Sequence, residues 1–464
     1  MQGYNLWSYS PYKPLLRNVG DIYICRIAPD ENSIHFEWLG PEGKEYSVFY
    51  RKRSEGEFIL YEKCNRVECD IIKLESDTDY EFYVECENKK SLIRLARTGK
   101  SVGTVVNYLH PDDEAYSFSG RYLCSPSLVR HPDGFLLASM DIYADGHPKN
   151  LTIILRSDDD GKTWHYVSEL MPCFWGKMFI HNGELYMIAC STGYGDLLIG
   201  KSTDGGKTFS APVCLLRGSG GNNGNDGVHK APQSIVVYNG RIYSTLEWGN
   251  WKNQDYCHAA MVMSCSVHDD LLEPQNWSIS EPLKYDPNWK GTACGRATGG
   301  VEGTLCIAPD GNLYNVLRYA IWPDAVPPYG LVLAYKVNTT DYDAPLEYSH
   351  CIKMPCNNSK FTIKYDCVSQ SYYSVVTRID CDERAHRRNL LSLMRSKDLD
   401  NWELACDLID KREEDMEKVG FQYCDFEIEG DNIIYLCRTA QNNANSYHNS
   451  NYSTFHVIEN FRKL

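Results

Sequence analysis

Residues 156–164 read RSDDDGKTW, and residues 201–209 read KSTDGGKTF. Both carry Ser-x-Asp-x-Gly-x-Thr followed by an aromatic. The first copy has Ser157, Asp159, Gly161, Thr163 and Trp164; the second has Ser202, Asp204, Gly206, Thr208 and Phe209. Each residue type suits a hairpin turn. The Asp carboxylate accepts turn amides, the Gly supplies a positive φ, and the aromatic anchors the turn to the next strand. Two copies 45 positions apart imply one supersecondary unit per repeat, the pattern of propeller blades.

Outward from these turns the chain from residue 105 onward is a series of hairpins. Strand, Asp-Gly or Asn-Gly turn, and strand recur in HPDGFLLAS, HNGELYMIA, YNGRIYSTLE and APDGNLYNVLR, and EGDNIIYLCR repeats the pattern with Gly-Asp. Such dipeptides between alternating strands are strong hairpin signals. The last interval has room for one more unit, and YDCVSQSYYSVVTR (365–378) supplies it, which makes six. Weakened copies of the opening turn stand at RSKDLDNWE (395–403) and LLEPQNWS (271–278). Closure of such a ring calls for an early strand, between NYLHP and SGRYL, to join the last sheet.

The first hundred residues read differently. DIYICRIAPD, SIHFEWLG, EYSVFYRK and TDYEFYVECEN alternate as strands between turn signals, which fits a β-sandwich over 20–98. The expected fold is all-β: an N-terminal segment 1–19, a sandwich 20–98, and a six-bladed β-propeller 105–464. LESDTDYEFYVECEN resembles the tyrosine corner of a fibronectin type III domain, with Leu74, Thr78 and Tyr80 in the family spacing and Trp38 at the buried Trp position. That resemblance implies a spacer or docking module.

Composition narrows the function. The 464 residues are 43% hydrophobic and 23% charged, as in a globular protein with ample core. A net charge of −15 without a basic run argues against nucleic acid. No run of 18 apolar residues exists, so no membrane span is expected. Nineteen cysteines show neither CxxC pairs nor zinc spacing, so no metal or cofactor is expected. The N-terminus lacks a signal-peptide pattern, and many thiols without one point to the cytoplasm. The 33 Tyr and 10 Trp against 14 Phe suit sheets and sugar-stacking clefts.

A six-bladed propeller with these turns, the Asp boxes, resembles the sialidase superfamily. In EGTLCIAPDGNLYNVLR the resemblance places Glu302 and Arg318, a Glu that activates a Tyr and an Arg that clamps the substrate carboxylate. GFQYCDFEIEGDNIIYLCR is similar to the segment carrying the nucleophilic Tyr, which falls on Tyr423. A phenol with a pKa near 10 is a poor nucleophile until a carboxylate takes its proton, so Glu302 and Tyr423 are expected within hydrogen-bond reach. In HRRNLLSLMRSKD the next family Arg falls on Arg387, with Arg388 adjacent.

The first blade departs from the family. Where sialidases have Arg-Ile-Pro-x-Leu, this chain has CSPSL, with Cys124 in place of the Arg. Arg121 upstream is a candidate replacement. One Arg fewer costs about 2–3 kcal/mol of carboxylate binding, which argues against a full grip on sialic acid. The acid/base falls in DIYADGHPKN, among Asp141, Asp145 and His147. Further polar or aromatic residues at predicted inner-strand ends are His229, Glu247, Trp175, Lys360 and Arg438.

The expectation is a sialidase-like exo-glycosidase acting on a terminal acidic sugar, with a carbohydrate as partner. The alternatives are a uronic-acid polysaccharide lyase using His147 or His229 with Tyr423, and a non-catalytic carbohydrate- or protein-binding propeller.

Overall fold

The computed structural model describes residues 6–8, 22–219, 224–252, 258–292, 297–321, 330–356, 359–381 and 386–464. Among them regular structure is essentially all β; two 3₁₀ turns, Pro274–Asn276 and Phe461–Lys463, are the exceptions.

The N-terminal strands form two antiparallel sheets. One pairs Tyr23–Pro29, Ser33–Leu39 and Glu68–Ile72. The other is built on Tyr46–Lys52 and Asp79–Cys86, with Ile59–Cys64, Lys89–Lys90 and Arg94–Arg97 against them. Alternation turns Ile34, Phe36 and Trp38 of the first sheet and Val48, Phe82 and Val84 of the second into one core. The Tyr80 hydroxyl accepts from the Glu75 amide at 2.9 Å, tying the loop before the strand to its own side chain.

Among the described residues six antiparallel sheets follow, the first five written by consecutive strands. Their first strands are Tyr122–Arg130, Phe174–His181, Gly227–His229, Ala297–Ile307, Ile363–Asp366 and Gly420–Glu429. The hairpins read from the sequence join the first two strands of the first, second, fourth and sixth sheets, and the 365–371 turn does so in the fifth; in the third sheet the Asn-Gly turn joins the short strand Val236–Tyr238 to Arg241–Gly249. The Ser-x-Asp-x-Gly-x-Thr turns join third to fourth strands, and 395–403 and 271–278 occupy the same position in their sheets.

The two sequence repeats are two copies of one hydrogen-bond network. Ser157 Oγ donates to Asp159 at 2.8 Å, and Asp159 accepts from Thr163 N at 2.9 Å and Thr163 Oγ1 at 2.6 Å. Ser202, Asp204 and Thr208 repeat those lengths.

The sixth sheet takes its outer strand from before the first: Thr104–Tyr108 pairs with Tyr452–Ile458. This closing strand reaches the stretch expected from the sequence only at Asn107 and Tyr108 and otherwise precedes it. The segment beginning at Tyr122 instead forms the buried inner strand of the first sheet, Tyr122–Arg130. The first strands of the first and second sheets touch, as do those of the fourth and fifth, and Tyr122–Arg130 touches Gly420–Glu429, so the last sheet meets the first.

The sandwich is sewn to this array by buried polar contacts. Arg26 pairs with Glu37 at 2.9 Å and donates to the Val106 carbonyl at 2.9 Å. Glu37 also accepts from the Tyr166 amide at 2.9 Å.

Candidate active site

Four first strands share an irregularity. The ladder register shifts between Cys124 and Ser127, Phe174 and Lys177, Val301 and Thr304, and Gln422 and Asp425. At each shift one non-glycine residue is left-handed: Ser125 (φ 51°), Trp175 (57°), Glu302 (56°) and Tyr423 (57°). A bulge of this kind re-aims one side chain out of the alternation, and a non-glycine residue in that region costs about 1–3 kcal/mol. All four side chains line one cavity of about 510 Å³.

At its centre the Tyr423 hydroxyl donates to Glu302 Oε1 at 3.0 Å. Arg318 Nε donates to the other oxygen, Glu302 Oε2. Burial alone would raise the Glu302 carboxyl, but the charges of Arg318 and His229 and these hydrogen bonds hold it below its ordinary value. Burial and the Glu302 charge push the Tyr423 phenol up, against the opposing pull of Arg318, Arg388 and Arg438. The resting pair is therefore a carboxylate and a neutral phenol, the states a base and its nucleophile require.

Two more guanidiniums flank the phenol ring, Arg438 at 5.2 Å and Arg388 at 5.8 Å from its centroid. Arg388 donates to the Gln422 side chain and Arg438 to the His448 carbonyl. Neither has a carboxylate partner among the described residues, and the Nε of each is buried without a hydrogen bond. Burial lowers the Arg388 guanidinium to about 10. Two buried cations without counter-charges make a receptor for an anionic group.

Part of the wall is aromatic. The Trp175 ring stands 4.3 Å from that of His229 and 5.9 Å from that of Tyr194, and Trp251 closes the cluster 6.2 Å from His229.

The cavity thus brings together Glu302, Arg318, Tyr423, Trp175, His229, Arg438 and Asp145 of the residues singled out by sequence, with Cys124 facing it as well. Others lie elsewhere. Arg387 points away and pairs with Glu417, while Arg388 turns inward, because Arg388 is the residue bridged to Gly420. Arg121 pairs with Glu114 at 2.5 Å on the surface. His147 is held over the Asp145 carbonyl, outside the cavity wall. Asp141 is sealed behind the wall, accepting from Thr152 Oγ1 at 2.5 Å and Trp175 N at 2.6 Å. Its carboxyl is pushed up to about 7 by burial. Asp145 is on the rim, with Lys149 and the Tyr143 hydroxyl each at 3.0 Å. Glu247 lies behind His229, and Lys360 is buried with its Nζ 3.4 Å from Thr362 Oγ1. Neither lines the cavity.

Sequence reading missed Tyr194, Trp251, Tyr447 and His448, which complete the wall. They stand on connections between strands, where no periodicity marks an inward residue.

No family model and no curated protein matches the chain. Among solved structures it is similar to the α-L-arabinanase of Penicillium chrysogenum complexed with arabinobiose. That match has 14% identity over 78% of this chain and 99% of that one, with a TM-score of 0.50. The α-L-arabinofuranosidase of Fusarium graminearum, in complex with an iminosugar inhibitor, is 15% identical over 78% of this chain and 98% of that one, with a TM-score of 0.51. The sialidase of Trypanosoma rangeli is 14% identical over 73% of this chain and 54% of that one, with a TM-score of 0.48. At such identities the two arabinan-related structures show the fold alone, an all-β, propeller-like architecture.

Proposed function

We propose that the chain is a six-bladed propeller behind a fibronectin type III-like sandwich, and that its cavity cleaves a terminal acidic sugar from an oligo- or polysaccharide. The observation that carries this reading is the 3.0 Å contact between Tyr423 and Glu302 beside two arginines without carboxylate partners. Glycoside cleavage needs a nucleophile or base on one side of the bond and a proton donor on the other, and a Tyr nucleophile is a known alternative to a carboxylate. Glu302 takes the phenol proton as the Tyr423 oxygen bonds to the anomeric carbon. Arg388 and Arg438 hold the acidic substituent. The aromatic wall of Trp175, Tyr194 and Trp251 receives the apolar face of a ring.

The architecture supports this reading. Two propeller-like neighbours are an arabinanase holding arabinobiose and an arabinofuranosidase holding an iminosugar inhibitor. Substrate preference follows from the missing first-blade Arg. Cys124 leaves the carboxylate without a grip from that strand, while Arg438 of the sixth sheet brings a guanidinium to the same cavity. The acidic group is held from a different side than in a sialidase, so sialosides should be poor substrates.

The test is a panel of fluorogenic glycosides of uronic acids, sialic acid and neutral sugars, run with Tyr423→Phe alongside. The reading expects an acidic sugar other than sialic acid to be released, and no release by the variant. Brisk sialoside cleavage overturns the substrate argument, and full activity of Tyr423→Phe overturns the mechanism. One observation favours a second reading, elimination at a uronic acid: His229, backed by Glu247, shares the cavity with Tyr423 and the arginines. Ultraviolet absorbance from a conjugated double bond in the product separates elimination from hydrolysis.

A further inference from the structure

His229 ends the short strand Gly227–His229 and is the cross-strand partner of Glu247. Its Nδ1 lies 2.8 Å from Glu247 Oε2. The other Glu247 oxygen accepts from the Gly303 amide at 3.3 Å, the residue after Glu302. Glu247 is thereby fixed from two sides, and it fixes the imidazole in turn. The ring is boxed by Trp175 at 4.3 Å and His258 at 4.5 Å. With Nδ1 given to a carboxylate, Nε2 is the nitrogen left for the cavity, and it has no hydrogen-bond partner among the described residues. A carboxylate behind an imidazole sets the tautomer and stabilises the imidazolium.

The carboxylates near the expected acid/base position do not offer this. Asp141 is sealed behind the wall with both oxygens engaged. Asp145 is ion-paired to Lys149. The charged or titratable groups around the imidazole are Glu247, Glu302, His258 and Tyr194.

We propose that His229, held by Glu247, is the acid/base that exchanges a proton with the leaving-group oxygen, in the cavity it shares with the Tyr423–Glu302 pair. The proposal rests on the reading of the cavity as a glycoside-cleaving site. In the first step the Tyr423 oxygen bonds to the anomeric carbon, its proton passes to Glu302, the glycosidic C–O bond breaks, and protonated Nε2 gives its proton to the departing oxygen. In the second, neutral Nε2 takes a proton from water, the water oxygen bonds to the anomeric carbon, and the Tyr423 oxygen leaves and recovers its proton from Glu302.

The experiment compares the full-length wild type, His229→Ala, Glu247→Gln and Tyr423→Phe on two glycosides of one uronic acid, an activated 4-nitrophenyl glycoside and an unactivated disaccharide. His229→Ala should lose at least ~100-fold on the disaccharide, much less on the aryl glycoside in single-turnover release, and should lose the alkaline limb of its kcat/KM profile. Equal loss on both glycosides with an unchanged profile overturns the proposal. Retained activity in Tyr423→Phe would instead sink the broader reading. A ¹⁵N-histidine NMR spectrum needs no substrate. It should show the His229 Nδ1 proton held in a hydrogen bond in the wild type, and Glu247→Gln should weaken that bond and mix the two ring tautomers. A His229 ring without a proton on Nδ1, or one that Glu247→Gln leaves unchanged, overturns the assignment whatever the sugar.

Discussion

Tyr423 and Glu302 meet hydroxyl to carboxylate at 3.0 Å across two different sheets, and each is the left-handed residue of its own bulged strand. The contact joins positions 121 residues apart in sequence, and Arg318 on the strand beside Glu302 completes it. Removing its members should have different consequences. Tyr423→Phe gives up one hydrogen bond, worth about 1 kcal/mol, and should fold normally while turnover falls ~10³-fold or more. Glu302→Gln removes the carboxylate of the buried Glu302–Arg318 pair, so it should lose about 3–5 kcal/mol of stability as well as activity. Thermal melts alongside turnover measurements check both.

Arg388 and Arg438 are buried cations without a carboxylate among the described residues. Such groups are costly to the empty protein and useful only when an anion arrives. Arg388→Met and Arg438→Met should therefore melt at or above the wild-type temperature. Each should weaken binding of a terminal uronic acid by about tenfold or more. A fall in melting temperature with unchanged affinity would assign these arginines to the scaffold instead.

Asp159 serves only its turn, through Ser157 and Thr163. Asp159→Ala should lower stability by about 1–2 kcal/mol and leave turnover per folded molecule intact. Asp204→Ala should behave alike, since its network has the same lengths. Selective loss of activity at full stability would contradict this.

Asp141 gives the protein a pH dependence of known sign. Burial pushes its folded-state pKa up to about 7, whereas an unfolded Asp ionises near 3.9. Between about pH 4 and 7 the unfolded chain has given up this proton and the folded chain retains it. The group's contribution to stability is fully present below that window and is lost as pH rises through about 7. Asp141→Asn carries no such proton, so its melting temperature relative to wild type should climb across the same range. A constant difference would mean that Asp141 is ionised in the folded protein.

The fold was legible where local chemistry dictates it. Asp-Gly and Asn-Gly turns need positive φ wherever they occur, and the Ser-Asp-Thr network closes within seven residues, so both can be read without tertiary knowledge. Glu302, Arg318 and Tyr423 were legible because two of them share one hairpin and the third sits in a strand of recognisable pattern. Arg387 was read for Arg388 because adjacent arginines in an irregular stretch give no periodicity, and only the bridge to Gly420 settles which turns inward. Asp141 and Asp145 differ by their place in the chain: the first lies inside the buried strand Leu136–Tyr143, and the second in the loop beyond it. The pairing of His229 with Glu247 depends on a register that skips the short strand Val236–Tyr238, which no local pattern reveals.

The four bulges make the chemistry of this cavity separable from its scaffold. Ser, Trp, Glu and Tyr occupy the same backbone kink at four places around the ring, so the kink does not depend on what it carries. It behaves as a socket, a fixed mount for an exchangeable side chain, with its strain already borne by the sheet. Substitutions at 125, 175, 302 and 423 should alter the groups presented to the cavity with no strand changing partner. Kinship in this architecture therefore says little about which bond is broken, whereas the occupants of the sockets say a great deal.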